Sequence, residues 1–247
     1  VYTSIYQITL RYMLRANKVV KGMRFYDDPN QYTFENLFCQ RCDDVKGAMA
    51  EKNLGTAGGY YAKVTGDIGE LQLSSVLKSL PDCYHVIDNV LLRTRKGSTQ
   101  LDHIVVSPFG VFVIETKNYK GMIFGDMEGM VWTQVLNGAG HFKVYNPVRQ
   151  NYGHIVELCR QTRIPIAIMQ GVIVFTNPRA NLSNVNCPCC FTVDRLYEHI
   201  VSYQTVVLSS KHIAKAIERI DKVNIDSYLN RQKHIAYVNS IKNKRGY

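Results

Sequence analysis

Two carboxylates and a lysine lie on neighbouring apolar segments of this chain. Asp102 lies near the start of one segment, residues 101–106, and Glu115 and Lys117 lie two positions apart on the next, residues 111–117. Both segments have the composition of β-strands. A charge inside an apolar strand is costly unless it is paired or bound to a metal. The pattern therefore indicates a site that could hold a divalent cation.

The turn between the two segments decides whether these side chains meet. Ser107-Pro108-Phe109-Gly110 is a strong turn signal. If Ser107 pairs with Gly110, the register sets Asp102 opposite Glu115, with Cβ atoms about 5 Å apart. A three-residue loop with Gly110 in the left-handed region would slip the register by one and turn Asp102 to the other face.

The first register has a chemical consequence. Two opposed carboxylates repel each other, and a divalent cation between them removes the repulsion. Lys117 would lie one pleat further along the same face, where it could hold a water nucleophile or stabilise a phosphorane-like charge. Two plainer interpretations stay open: the acids are solvated edge-strand residues, and Lys117 only neutralises Glu115 in a structural ion pair.

The surrounding residues extend the pattern in a fixed order. They are Gly69-Glu70, Thr99 to His103, Gly110 to Asn118, Gly121, Trp132, Asn146-Pro147, Gln150-Asn151 and His154. In this order they resemble the NERD (nuclease-related) domain of the PD-(D/E)XK nuclease superfamily. The resemblance covers a little over a third of the chain.

The resemblance implies a fold and an activity. The expected fold is an α/β, restriction-endonuclease-like core, in which helices flank a mixed central sheet. The expected activity is Mg²⁺-dependent cleavage of nucleic-acid phosphodiester bonds, most readily those of DNA, with Mn²⁺ as a substitute. Asp102 and Glu115 are assigned to metal binding and Lys117 to catalysis. Glu70 becomes an accessory acid and metal ligand, and Gln150 an accessory polar group.

Some of these residues also have structural interpretations. Glu70 follows Asp67 by three positions, so it could satisfy a backbone N–H at a helix start as part of a capping-box-like pattern. His154 shares a helix face with Gln150 and is predicted to be a structural histidine. His103 should point away from Asp102, and Trp132 is predicted to pack in the core or under a lid.

Composition and charge limit the classes of partner that the protein is expected to bind. The 247 residues are 46% hydrophobic and carry a formal net charge of +10. This charge favours nucleic acid or an anionic membrane surface as a partner. Both ends are basic, so the alternatives to a nuclease are an inactive nucleic-acid-binding module and a membrane-proximal interaction domain. Whether the chain forms a homo-oligomer stays open.

The domain organisation follows from the same patterns. We predict a basic helical N-terminal extension over residues 1–60, the nuclease-like core over residues 61–180 and a helical C-terminal extension over residues 181–247. No apolar run reaches the length of a membrane span. The expected location is the cytoplasm, with membrane anchoring on the cytoplasmic side if an upstream segment is missing.

Seven cysteines are an odd number in a chain too long for a disulfide scaffold. They suggest a reducing compartment. Cys39-Gln40-Arg41-Cys42 and Cys187-Pro188-Cys189-Cys190 each contain a Cys-x-x-Cys spacing. Together they could form a four-cysteine zinc site. The alternative is that they are reduced structural cysteines.

Overall fold

A computed structural model describes residues 69–245 of the protein, apart from residue 71. The predicted N-terminal extension and the first residues of the predicted core lie outside this range. The described elements, in chain order, are α1 (residues 69–77), β1 (His85–Thr94), β2 (Gly97–Ser107), β3 (Gly110–Lys117), β4 (Gly121–Asp126), β5 (Val131–Leu136), β6 (Gly140–Tyr145), α2 (Pro147–Thr162), a 3₁₀ turn (Ile166–Ile168), β7 (Met169–Phe175), β8 (Ala180–Asn186), β9 (Cys190–Thr192), α3 (Val193–Val201), α4 (Ser210–Val223) and α5 (Tyr228–Arg245).

Five strands form the main sheet, in the order β1-β2-β3-β7-β9. The first three are antiparallel, and β3, β7 and β9 run parallel. The predicted mixed central sheet flanked by helices is confirmed. β7 is an apolar run buried along most of its length, as expected for a parallel strand covered on both faces.

The hairpin between β2 and β3 has the register that brings the acids together. Ser107 pairs with Gly110 and His103 pairs with Ile114, across a loop of Pro108 and Phe109. The Ser107 hydroxyl accepts a hydrogen bond from the Phe109 N–H at 3.2 Å, which fixes the turn. The alternative three-residue loop, with its slipped register, is therefore wrong.

Apolar clusters cover both faces of the main sheet. On one face, Ile104 and Val113 pack with Ile155 and Leu158 of α2 and with Ile220 of α4. The other face packs against α1 and α3. Each helix carries apolar residues at helical spacing, so each buries one stripe against the sheet. The sheet is thus held between two helical layers, and the ends of β2 and β3 are fixed in position.

A second sheet, in the order β6-β5-β4-β8, was not predicted from the sequence. β4 contains two glycines and β8 three asparagines, and at least half of the side chains of β4, β6 and β8 are exposed, so hydrophobic alternation is weak. Backbone pairing forms these strands, and the buried Ile123 and Trp132 side chains anchor them. Trp132 is buried here, as predicted, and stacks on Phe175 of the main sheet.

The predicted helical extension from residue 181 begins with strands instead. β8 joins the second sheet beside β4, and β9 joins the main sheet beside β7. β9 is the edge strand that ends the main sheet. Thr192 is the N-cap residue of α3, and Asp194 lies within the first turn of that helix. Among the described residues, no helix is both long and apolar enough to cross a bilayer.

Helix α2 is attached to both sheets by two asparagines at its start. Asn146 caps the helix by accepting from the Val148 N–H at 2.8 Å, and its amide donates to the Gly129 carbonyl at 2.6 Å. Asn151 is buried, and its amide donates to the carbonyls of Val113 and Val172 at 2.8 and 3.2 Å. The position of α2 over β3 and β7 therefore depends on hydrogen bonds as well as on apolar contact.

Replacing Asn151 should therefore destabilise the fold. Asn151→Ala removes donors to two buried carbonyls, so we expect the free energy of unfolding to fall by about 1–3 kcal/mol. Denaturant unfolding would measure the loss, with the exposed Asn186→Ala as a matched control. Equal stability of the two variants would contradict this role of Asn151.

Candidate active site

Asp102 lies where the ladder between β2 and β3 ends. The last backbone pair is His103 with Ile114. Beyond it, the Asp102 Oδ2 atom accepts a hydrogen bond from the Thr116 N–H at 2.8 Å. A carboxylate thus takes the place of a strand carbonyl as the acceptor for Thr116. This bond holds the Asp102 side chain against β3, beside Glu115.

Glu115, Lys117 and Gln150 form one hydrogen-bonded cluster. The Lys117 ammonium contacts Glu115 Oε1 directly and donates to Gln150 Oε1 at 3.0 Å. Gln150 Nε2 donates to the same Glu115 oxygen at 2.7 Å. Glu115 is only 3% exposed. Two residues of β3 and one residue of α2 therefore meet at a buried carboxylate oxygen.

The charges of the site are strongly coupled. Burial raises the pKa of Asp102 well above its usual range, and the neighbouring Glu115 and Glu70 carboxylates raise it further. Burial disfavours the charged form of Lys117, but the nearby Glu115, Tyr119 and Asp102 outweigh it and raise the pKa of that ammonium. Lys117 is therefore a cation at neutral pH, and the carboxyl groups of Glu115 and Asp102 outnumber this one ammonium.

Glu70 reaches this site because Gly69 allows α1 to come close. A Cβ at Gly69 would lie 2.2 Å from the Thr176 hydroxyl oxygen, a distance that real Cβ atoms do not show. Only glycine fits there, so the start of α1 lies against the residues that follow β3 and β7. Glu70 then lies near enough to raise the pKa of Asp102. Its capping interpretation involves Asp67, which lies outside the described residues.

His154 is closer to the acids than its predicted structural role required. Its Nδ1 atom lies 3.3 Å from Glu115 Oε2. Burial lowers the pKa of the ring, so the imidazole is neutral at pH 7. Within the described part of the chain, neither of these two buried atoms has a hydrogen-bond partner. The shared helix face of Gln150 and His154 was the sequence signal for this contact.

His103 points to the opposite face of the sheet, as predicted. Its ring bonds the Asp88 carboxylate at 2.8 Å, and the Ser74 hydroxyl donates to the same carboxylate at 2.7 Å. The two bonds lower the pKa of Asp88 to about 2 although burial opposes this. This polar cluster joins α1, β1 and β2, and it lies apart from the acids of the candidate site.

The predicted zinc ligands are brought together in part. Cys187, Cys189 and Cys190 lie with their sulfur atoms within 4.8 Å of one another. Over the residues that the structure describes, this is the one group of three or more potential metal ligands so closely spaced, so the acids of the candidate site are wider apart. Cys39 and Cys42 lie outside the described residues.

Comparison with known proteins identifies the family of the domain that carries this site. Residues 65–176 match the family model of the nuclease-related domain, NERD. This range includes all five predicted site residues and every element from α1 to β7. No solved structure matches the chain.

A curated relative extends the match beyond that domain. An uncharacterized protein of Bacillus anthracis is 33% identical over 190 residues, which cover 73% of this chain and 87% of the relative. The chain belongs to the NERD family of nuclease-related proteins.

Proposed function

We propose that this protein is a metal-dependent nuclease that cleaves phosphodiester bonds in nucleic acid, with DNA as the expected substrate. Family membership supports a nuclease-related function in general. The observation that carries the proposal of metal-dependent cleavage is the hydrogen-bonded cluster of Glu115, Lys117 and Gln150 beside Asp102. An acid pair that can hold a metal ion, with an adjacent ammonium, is suited to phosphodiester hydrolysis.

The residues of the site fit a divalent cation. The Oε2 atom of Glu115 is buried without a hydrogen bond from any described residue. The carboxylates of Asp102 and Glu115 both act on the Lys117 ammonium, and Glu70 adds a third carboxylate near Asp102. A cation would relieve the repulsion that raises the pKa of Asp102. Asp102 and Glu115 would hold it, with Glu70 as a further ligand.

The chemistry that bound Mg²⁺ supplies is a lower pKa for a coordinated water and charge screening at the phosphate. Lys117 contributes a fixed positive charge. Because its pKa is raised, it is not a general base at neutral pH. Its N–H groups can instead orient a water or stabilise the charge that develops on the phosphate oxygens. A protonated Lys117 can therefore fill either role expected from the sequence, holding the water or stabilising the charge.

Gln150 and Glu70 shape the site around these groups. Gln150 accepts from Lys117 and donates to Glu115, so it fixes the relative position of both side chains. Glu70 adds negative potential near Asp102. Supporting hydrogen bonds of this kind orient ligands and tune a metal site. The net charge of +10 favours a polyanionic substrate that is bound through its phosphates.

The alternatives make different predictions. An inactive module would bind DNA in a salt-dependent way that chelation does not change. A membrane-proximal interaction domain would prefer anionic vesicles to DNA. A cytoplasmic location stays an expectation from the cysteine content.

Lys117→Ala should abolish Mg²⁺-dependent cleavage. Loss of the ammonium removes charge stabilisation at the phosphate, and we expect a fall in rate of at least about 100-fold. Cleavage of a panel of single-stranded, double-stranded and RNA substrates, with and without chelator, would measure this. Lys120→Ala, at an exposed lysine nearby, is the matched control. Equal cleavage by wild type and Lys117→Ala would refute the assignment.

Gln150→Ala should weaken activity without removing it. The substitution frees both Glu115 and Lys117 to move, and the loss of such a supporting group typically costs about 10- to 100-fold in activity or metal affinity. Rates as a function of Mg²⁺ concentration would separate the two effects. Gln204→Ala, at an exposed glutamine, provides the control. A loss as complete as that of Lys117→Ala would mean that Gln150 takes a direct part in the chemistry.

Asp102→Asn should separate stability from metal binding. An acid whose folded-state pKa is raised stabilises the fold below its unfolded pKa, about 3.9. That contribution is lost as pH rises through the folded value. The metal-free variant should therefore melt at or above the temperature of the metal-free wild type at neutral pH, and the difference should shrink in acid. Mg²⁺ should raise the melting temperature of the wild type only.

Asp82→Asn, at an exposed acid, is the control for this comparison. A lower melting temperature for metal-free Asp102→Asn at neutral pH would show that the ionised carboxylate is not a source of repulsion. A full Mg²⁺ response in the variant would show that Asp102 is not a ligand.

A further inference from the structure

Three cysteines lie together at the passage from the second sheet to the main sheet. Cys187 follows the end of β8, and Cys190 is the first residue of β9. All three sulfur atoms lie within 4.8 Å of one another, and those of Cys187 and Cys189 are 3.0 Å apart. Cys187 is buried and the other two are half-buried. The group is therefore sheltered but reachable from solvent.

The backbone holds these cysteines in place. The Cys190 N–H donates to the Cys187 carbonyl at 3.3 Å, which closes a tight turn around Pro188. The Ile173 N–H donates to the Cys189 carbonyl at 2.9 Å, which attaches the turn to β7. The cysteines also pack in the cluster that contains Phe175 and Trp132. The three thiols are thus brought together by the fold itself.

We propose that Cys187, Cys189 and Cys190 bind one zinc ion, at a site separate from the acids. A purely thiolate donor set selects a thiophilic metal and disfavours Mg²⁺. Zinc–sulfur bonds of about 2.3 Å in a tetrahedron place sulfur atoms about 3.8 Å apart. The observed spacings, 3.0 Å for one pair and no more than 4.8 Å for the rest, bracket that value. The fourth position is left to water or another donor.

Zinc at this position would act on the fold as a cross-link. β8 pairs with β4 of the second sheet, and β9 pairs with β7 of the main sheet, so the ion would fasten the segment that joins the two. Ile173, which Cys189 contacts, is paired with Glu115 across β3 and β7. The ion would therefore stabilise the part of the main sheet that carries the candidate active site, without contacting substrate.

Metal analysis of the purified full chain tests this. After dialysis against metal-free buffer, the protein should retain about one zinc per chain, and cobalt in its place should give thiolate-to-metal charge-transfer absorption. The triple variant Cys187→Ser/Cys189→Ser/Cys190→Ser should lose both signals. Cys83→Ser, at an exposed cysteine, should keep them, as should Lys117→Ala, which separates this site from the catalytic proposal.

Three outcomes would overturn the proposal. The wild type could retain no zinc and give no cobalt–thiolate absorption. This result is measured on the wild type alone, so it does not depend on whether a variant folds. The triple variant could retain the full zinc content. Intact mass could show that the chain is two hydrogens lighter than its sequence, with Cys187 and Cys189 joined as a disulfide, because such a bond consumes two of the ligands.

Discussion

The contact between Glu115 and Lys117 is the interaction on which the candidate site depends. A carboxylate that is almost fully buried is tolerated in an apolar strand only when a partner compensates its charge. Lys117 lies two residues along the same strand and supplies that partner. Gln150 then bonds both members of the pair, so their geometry depends on the position of α2. Asn146 and Asn151 fix the position of that helix, so the geometry of the site also depends on their hydrogen bonds.

This arrangement also explains how one cluster can serve folding and chemistry. In the metal-free chain, the acids near Asp102 repel one another and a single ammonium offsets part of the charge. Functional sites often hold such conflicts, which the surrounding structure must overcome. Here the packing of the two helical layers and the second sheet compensates for the repulsion among the acids. The polar residues at the ends of β2 and β3 can therefore be kept although they do not stabilise the fold.

The sequence predicted the centre of the fold better than its periphery. The alternation in β3 and the Ser107–Gly110 turn reduced the register to two possibilities, and the structure has the one that places Asp102 beside Glu115. Gln150 was expected only through the family resemblance, since no local pattern shows which helix packs over β3. β4 and β8 were missed because their glycine and asparagine content is typical of loops, and β5 and β6 because they are short and lie in a glycine-containing stretch. The Thr116 bond to Asp102 could not be predicted, because it replaces a regular ladder bond.

The hydrogen bonds to the two acids bear on which ion the proposed site would prefer. One oxygen of Asp102 is engaged by the Thr116 N–H, and one oxygen of Glu115 is engaged by Lys117 and Gln150. The other oxygen of each carboxylate receives no hydrogen bond from these groups, so it is the oxygen that a bound cation would contact most readily. Calcium readily accepts bidentate carboxylates and six to eight oxygens, whereas magnesium takes one or two carboxylate oxygens and completes its octahedron with water and phosphate. In the proposed site, the backbone amide of Thr116 and the Gln150 side chain would therefore favour the smaller ion.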